Sequence, residues 1–171
     1  MSITIQDAVP GDALGIGEVL YQTWLATYPN HDFGITADDI EDRFKDRKDA
    51  DGSKIRNKPE NERLLTAKDG AKIVGMCRAI REPGRNILRA IYVLPEYQGR
   101  GIGTMLWNEA YNFFDPAKDT IIEVVSYNAN AIYFYTELGF RDTGERFSRE
   151  DFRMKSGNSM PEMKMILHAS N

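Results

Sequence analysis

The sequence predicts an α/β fold organised around a buried strand, a glycine-rich loop and a helix. Residues 87–94 are apolar and rich in β-branched and aromatic side chains, which is typical of a buried strand. Pro95 has no N–H to donate to a neighbouring strand, so we expect the strand to end there. Three glycines follow within residues 98–103. The next apolar residues recur every three or four positions, as on one face of a helix: Ile102, Met105, Leu106, Ala110 and Phe113.

An antiparallel meander is predicted before this unit. Residues 64–67 and 73–80 have strand composition, and the Asp69-Gly70 pair between them is a strong hairpin signal. A second turn at 82–86 leads into the strand that precedes the glycine loop. After the loop helix a further strand follows, and one helix between two strands implies a parallel, right-handed crossover. The sheet is therefore predicted to be mixed.

The C-terminal part completes the sheet. We expect a helix at 128–138, ended by Gly139 in the position that favours a left-handed residue. The polar segment 144–161 is predicted to be a loop over one sheet edge. The strands predicted in this part of the chain are 120–125, 140–143 and 162–168.

The N-terminal part is predicted to be a short strand at 3–5 followed by two helices. The first helix covers 13–27 with Asp12 as its cap, and the second covers 37–47 with Thr36 as its cap. Segment 46–61 is highly charged and has Ile55 as almost its only apolar residue, so we expect a solvated, mobile loop. The residues of the first helix expected to face inward are Leu14, Val19, Leu20, Trp24 and Leu25.

Length and composition limit the classes of function that the chain can have. A chain of 171 residues with 42% hydrophobic and 28% charged residues is predicted to form one globular domain over 1–171. The net charge of -4 argues against a broad nucleic-acid surface and is compatible with a cationic substrate such as an amine. The single cysteine, Cys77, excludes an internal disulfide and a cysteine metal cluster. No apolar run reaches bilayer length and the N-terminus is no signal peptide, so we expect a cytoplasmic protein without a membrane partner.

The glycine loop indicates a phosphate site. The first N–H groups of a helix have no internal partner, and glycines allow a ligand to approach the backbone closely. Arg100 can add a positive charge at the rim. A Walker loop would require a Gly-Lys-Ser/Thr ending, and a dinucleotide fingerprint would require a G-x-G-x-x-G spacing. Neither is present in the sequence, and an ATP or NAD enzyme is therefore disfavoured. A plain strand-to-helix turn stays open on this motif alone.

Two motifs together resemble the GCN5-related N-acetyltransferases (GNAT). The spacing Gln98-x-x-Gly101-x-Gly103 matches their pyrophosphate loop, and residues 128–140 match their N-x-x-A-x-x-x-Y-x-x-x-G-F pattern. The resemblance covers about 62–168 well and the N-terminal helices more loosely. It implies a mixed, mostly antiparallel sheet of six or seven strands with helices on both faces. It also implies acetyl transfer from acetyl-CoA to a primary amine of a small molecule or a peptide or protein N-terminus, without a metal.

The resemblance also implies the catalytic residues. Tyr135 would protonate the departing thiolate of coenzyme A, although most helix tyrosines only pack. Glu123 would be the base, since a strand glutamate twelve residues before the tyrosine has this role in N-terminal acetyltransferases of the superfamily. Glu123 also stands among apolar neighbours, where burial would be expected to raise the pKa of its carboxyl. An alternative stays open, in which Glu123 is a surface residue paired with a lysine or arginine and a water chain is the base.

Cofactor and acceptor residues follow by the same resemblance. Val93 and Leu94 would offer backbone groups to the pantetheine arm and the thioester carbonyl, and Asn128 would bind the arm from the opposite wall or merely cap a helix. Tyr28 and His31 lie in the loop that shapes the acceptor site in relatives, although His31 could equally be an exposed loop residue. The pyrophosphate would be held by backbone N–H groups of Gln98, Gly99, Arg100, Gly101, Ile102, Gly103 and Thr104.

An alternative of another class is a non-catalytic acyl-CoA-binding or regulatory module. The presence of both Tyr135 and Glu123 argues against it. Many relatives form dimers through sheet edges, so a homodimer is possible by resemblance. The loops that would choose the acceptor carry no readable code, and its identity is left open.

Overall fold

The computed structural model describes residues 2–170 and contains a seven-stranded open sheet with helices on both faces. The strands are β1 (Ile3–Asp7), β2 (Glu62–Asp69), β3 (Lys72–Arg81), β4 (Asn86–Val93), β5 (Thr120–Val125), β6 (Arg141–Ser148) and β7 (Pro161–Leu167). The helices are α1 (Ala13–Thr27), α2 (Ala37–Arg43), α3 (Ser53–Arg56), α4 (Ile102–Phe113) and α5 (Ala129–Glu137). No helix of the described chain is long and apolar enough to cross a bilayer.

The sheet order β1-β2-β3-β4-β5-β7-β6 confirms the predicted mixed, mostly antiparallel arrangement. Strands β1 to β4 form an antiparallel meander, and β5, β7 and β6 form a second antiparallel group. Only β4 and β5 are parallel neighbours, joined through α4 as the crossover rule requires. The predicted bounds of α1 and β5 are those observed.

Strands β4 and β5 separate soon after they meet, and this separation positions the site. They pair only at Asn86 with Thr120 and at Ile87 with Ile121. The buried Asn86 side chain closes this end, since its amide donates to the carbonyls of Asp115 (2.8 Å) and Lys118 (3.1 Å). Beyond Ile87 the two strands have no ladder hydrogen bonds to each other, so a cleft opens through the middle of the sheet.

Two apolar clusters hold the layers together. The larger one packs α4 and α5 on the sheet and contains the fully buried side chains of Leu88, Leu106 and Phe140. The second cluster, which we call the outer cluster, lies between α1, α2 and the segment after β6. Its buried members are Tyr21, Tyr28, Ile35, Ile40, Val125, Met154 and Met160.

Three predictions about the N-terminal half are wrong. Leu14 is exposed, and Ile16 is buried in its place. The Asp12 carboxylate does not cap α1, because it accepts the N–H of Val9 and pairs with Lys68 at 2.7 Å. Helix α2 ends at Arg43 and not at 47, since Phe44 turns into the outer cluster against Trp24.

Two predicted loops contain regular structure. Segment 46–61 includes α3 and a 3-10 turn at Arg47–Asp49, and its one apolar side chain, Ile55, is buried in the core. Segment 144–161 begins as part of β6, which extends to Ser148. Sequence patterning missed this because β6 is an exposed edge strand without apolar alternation. On α4, Met105 is exposed and Trp107 is buried, so the inward face is rotated from the predicted one.

Candidate active site

The separation of β4 and β5 opens a cleft of about 910 Å³. One end is lined by the glycine loop and the start of α4, and the middle by β4, β5 and α5. The other end reaches the outer cluster through Trp24 and Tyr28 of the α1 region and Phe152 of the segment after β6. The cleft therefore passes through the sheet from one helical layer to the other.

The backbone geometry of the glycine loop is suited to bind an anion. Gly99 and Gly101 have φ angles of 73° and 78°, a region that side chains with a Cβ atom rarely adopt. A Cβ atom at either glycine would meet open space, so the loop backbone is accessible. Helix α4 begins directly after Gly101, and helical geometry leaves the N–H groups of Ile102, Gly103 and Thr104 without intrahelical acceptors. This arrangement fits a pyrophosphate.

The observed contacts of Gln98 and Arg100 in the loop differ from the predicted ones. The backbone N–H of Gln98 donates to the Pro95 carbonyl at 3.2 Å, so it is already used within the loop. The Gln98 side-chain amide donates to the Val93 carbonyl at 2.9 Å and fixes the end of β4 against the loop. The Arg100 guanidinium donates to the Glu96 carbonyl at 2.8 Å and lies 5.2 Å from the Tyr97 ring centroid, folded back on the loop.

The backbone N–H groups of Val93 and Leu94, at the end of β4, point in opposite directions in the structure. Leu94 is buried and its N–H donates to the Val74 carbonyl at 2.9 Å, so this N–H is already used within the sheet. Because successive peptide groups of a strand point to opposite sides, the N–H of Val93 points away from β3 and into the cleft.

Tyr135 stands at the centre of the cleft. Its ring is buried and packs edge-on against Phe134 (5.2 Å) and Phe140 (5.7 Å). Burial raises the pKa of the Tyr135 hydroxyl well above its ordinary value, and the nearby Tyr92 hydroxyl raises it further, while the backbone N–H of Ile91 lowers it. Tyr135 is therefore a neutral phenol that can donate a proton into the cleft.

Tyr28 and Asn128 also line the cleft. The Tyr28 side chain is buried, and burial and the Tyr92 hydroxyl raise its pKa, whereas the Asn128 amide lowers it. The Asn128 side-chain oxygen accepts the N–H of Ala131 at 3.2 Å and so caps α5. His31, in contrast, is fully exposed and does not line the cleft, which agrees with the alternative of an exposed loop residue.

The end of the cleft next to the outer cluster carries two carboxylates. Glu123 on β5 is 33% exposed, and its Oε2 lies 3.9 Å from the Arg89 guanidinium. Glu162 on β7 lies in the same cleft. Burial and the negative charge of Glu123 raise the pKa of Glu162, and Arg149 and Arg89 oppose this. The sequence analysis did not predict Glu162 as a site residue. Glu162, Lys164 and Ile166 are every second residue of the last strand, which places them on one sheet face.

Segment 149–160 lines this end of the cleft and is held in place by one buried carboxylate. Asp39 of α2 accepts the N–H of Ser156 at 2.7 Å and its hydroxyl at 2.9 Å. The same carboxylate accepts the N–H of Thr36 at 2.8 Å, the reciprocal half of the α2 capping box. Asp39 therefore ties the start of α2 to the segment that carries Phe152.

We expect Asp39→Asn to lower the free energy of unfolding by about 1–3 kcal/mol, because an amide cannot accept all of these hydrogen bonds. Although burial raises the pKa of Asp39, the hydrogen bonds from Thr36 and Ser156 hold it below the ordinary value. The wild-type advantage is thus present above the unfolded-state pKa and is lost as the pH falls through the folded-state pKa. Urea unfolding at neutral and acidic pH measures this.

Asp38→Asn is the matched control, since Asp38 is an exposed residue in the same helical turn. Equal stabilities of the two variants at neutral pH would contradict the anchoring role of Asp39.

Comparison with known proteins gives one family. A model described as the acetyltransferase (GNAT) family matches residues 15–140. Among curated proteins there is no significant match. The PaiA N-acetyltransferase from Thermoplasma acidophilum, in complex with coenzyme A, aligns with a TM-score of 0.71 at 18% identity, covering 98% of this chain and 99% of that one.

Two further solved structures share the fold along nearly the whole chain. Ard1 from Thermoplasma volcanium has a TM-score of 0.66 at 17% identity, with 100% of both chains covered. The ribosomal-protein-S18-alanine N-acetyltransferase from Escherichia coli has a TM-score of 0.63 at 20% identity, covering 99% of this chain and 96% of that one.

Proposed function

Because the chain belongs to the GNAT family of acetyl-CoA-dependent N-acetyltransferases, we propose that it acetylates a primary amine of a small molecule or a peptide N-terminus by direct attack on the thioester. The observation that carries the proposal is the single cleft that joins the glycine loop, the buried Tyr135 hydroxyl and the carboxylates. In this arrangement the three groups that the reaction needs lie along one path.

The cofactor end would bind acetyl-CoA through backbone groups. The N–H groups at the start of α4 would hold the pyrophosphate, since partial positive charge accumulates at a helix N-terminus. The Val93 peptide would receive the pantetheine arm, and Asn128 would face the arm from the opposite wall while it caps α5. A donor at Val93 is suited to stabilise negative charge on the thioester oxygen during attack.

The chemistry would divide between an acid and a base. The amine must lose a proton before it attacks, and a carboxylate at the acceptor end of the cleft, the end next to the outer cluster, would take it. Glu123 is the carboxylate that the sequence indicated for this role. Tyr135 would give its proton to the departing thiolate of coenzyme A. Direct attack is favoured over an acyl-enzyme on sulfur, because Cys77 is fully buried and burial raises the pKa of its thiol to about 12.

The first test is ligand binding by thermal unfolding. We expect acetyl-CoA at about 100 times its dissociation constant to stabilise the protein by about 2.7 kcal/mol, which raises the midpoint by several degrees. ATP and NADH at the same concentration are the controls and are expected to give no comparable shift. An equal or larger shift with either nucleotide would contradict the assignment of the loop.

The second test is coenzyme A release with a panel of amines. Ethanolamine, spermidine, tryptamine, glycinamide and a tetrapeptide with N-terminal alanine cover small-molecule and peptide acceptors. We expect release to depend on at least one amine and to exceed the rate without amine. Tight acetyl-CoA binding without any amine-dependent release would favour the alternative of a non-catalytic acyl-CoA-binding module.

A further inference from the structure

Two carboxylates of neighbouring strands lie on the same sheet face at the acceptor end of the cleft. In the β5–β7 ladder, Glu123 pairs with Lys164, and Val125 pairs with Glu162. Glu123 and Glu162 are therefore diagonal neighbours on the same sheet face, a separation that long side chains can span. Both side chains line the cleft. The topology thus brings together two like charges that are 39 residues apart in the sequence.

The cationic side chains near Glu162 pair with other carboxylates. The Lys164 ammonium pairs with Glu145 at 2.5 Å, and the Arg149 guanidinium pairs with Asp151 at 3.3 Å. Arg89 of β4 approaches only Glu123, at 3.9 Å. Within residues 2–170, Glu162 thus has no cation at ion-pair distance. The charged groups that act on it are Glu123 of β5, Arg89 of β4, and Arg149 and Asp151 of the segment after β6.

This environment favours a positively charged ligand. Glu162 lies beside the negative charge of Glu123 in a half-buried position, and both effects raise its pKa. An ammonium placed between the two carboxylates would relieve their repulsion. The walls around this point are aromatic, with Trp24, Tyr92 and Phe152 lining the cleft, and aromatic faces also attract cations.

We propose that Glu123 and Glu162 act as one pair, which binds the ammonium form of the acceptor and removes one of its protons, and that Glu162 carries this proton. The inference deepens the proposed function and rests on it, because it names the charge state in which the acceptor enters. It also reassigns Glu123 from taking the proton to holding the cation beside Arg89, while Glu162 takes the proton.

The proton count of the step is balanced. The ammonium gives one proton to Glu162, which later releases it to solvent. The neutral amine attacks the thioester carbon, so a C–N bond forms and the C–S bond breaks. The thiolate takes a proton from Tyr135, and the second proton lost by the nitrogen restores the Tyr135 hydroxyl through solvent. The products are the amide, coenzyme A as a thiol, and one proton.

The pair is tested first without any acceptor. In protein labelled with ¹³C at the glutamate carboxyl carbon, the Glu162 signal is identified by its absence in Glu162→Gln. We expect Glu162 to titrate above the ordinary glutamate range in the wild type and to titrate at lower pH in Glu123→Gln. Titration in the ordinary range, or titration that does not respond to Glu123→Gln, would overturn the pairing.

The function of the pair is tested by kinetics with the panel amine that the wild type acetylates fastest. We expect Glu162→Gln to lower kcat/KM at neutral pH by about a hundredfold, the usual size of a lost general base. Hydroxylamine is mostly uncharged at neutral pH and needs no deprotonation before it attacks. Its acetylation by Glu162→Gln, corrected for the uncatalysed reaction with acetyl-CoA, should therefore stay close to the wild-type rate. Acetyl-CoA affinity should be unchanged.

Glu60→Gln is the matched control, because Glu60 is an exposed glutamate before β2 that does not line the cleft, and its kinetics should match the wild type. An equal loss with hydroxylamine and with the amine would show a structural role for Glu162 and overturn the inference. An unchanged pH–rate profile in Glu162→Gln would do the same while leaving the acetyltransferase function intact. A wild type that acetylates no amine would instead refute the proposed function itself.

Discussion

Replacing Tyr135 with phenylalanine is expected to lower kcat by about a hundredfold or more while acetyl-CoA affinity stays nearly unchanged. The substitution removes only the hydroxyl, and the ring contacts with Phe134 and Phe140 remain. Because these ring contacts do not involve the hydroxyl, the fold should persist. The lost group is the neutral phenol whose pKa burial holds well above its ordinary value. Without it, the departing thiolate has no proton donor in the centre of the cleft.

The measurement is steady-state coenzyme A release, with acetyl-CoA affinity taken from thermal unfolding. Tyr111→Phe provides the control, since Tyr111 is 43% exposed on α4 and does not line the cleft. If Tyr135→Phe kept wild-type turnover, Tyr135 would have no part in the chemistry. A general fall in stability would instead show up as a lower unfolding midpoint in the absence of ligand.

The second large effect is expected at the glycine loop. Gly101→Val should weaken acetyl-CoA binding by about a hundredfold, since losing one or two charge-assisted hydrogen bonds costs about 3 kcal/mol. Gly101 has a φ of 78°, and a Cβ atom there meets no protein atom within 4 Å. The new side chain would therefore project into the space where the pyrophosphate is proposed to bind. The protein would fold, and its acetyl-CoA shift would disappear.

The control for this substitution separates backbone strain from ligand blocking. Gly144 has a φ of 84° and likewise no atom within 4 Å of a Cβ position, but it lies in edge strand β6 outside the cleft. Gly144→Val should therefore cost similar backbone strain, about 1–2 kcal/mol of unfolding free energy, without changing acetyl-CoA affinity. An equal loss of acetyl-CoA affinity in both variants would mean that backbone strain, and not blocking of the pyrophosphate site, weakens binding.

Local sequence patterns were sufficient for the elements that carry the cofactor site. The strand before Pro95, the glycines that follow, and the periodic helix from Ile102 are each encoded within a few residues. Their local geometry needs no distant partner, because proline ends a ladder and a helix start exposes its own N–H groups. The spacing of the two motifs also predicted the family that the comparison identified.

Element boundaries were less accurate where tertiary contacts override local preference. Helix α2 stops early because Phe44 packs against Trp24, and Ile55 is buried although its neighbours in the chain are polar. The register of α1 differs from the prediction in the same way, with Ile16 buried and Leu14 exposed. In each case the deciding partner lies far along the chain, so no short window contains the information.

The sequence was sufficient to predict the fold class, the glycine loop and the family. Which groups share the cleft depends on the tertiary structure. It turned the Leu94 N–H towards β3, left His31 in solvent, and placed Glu162 beside Glu123. The physical reason is that strand register and the separation of β4 from β5 set these neighbours, and both depend on packing between distant segments of the chain.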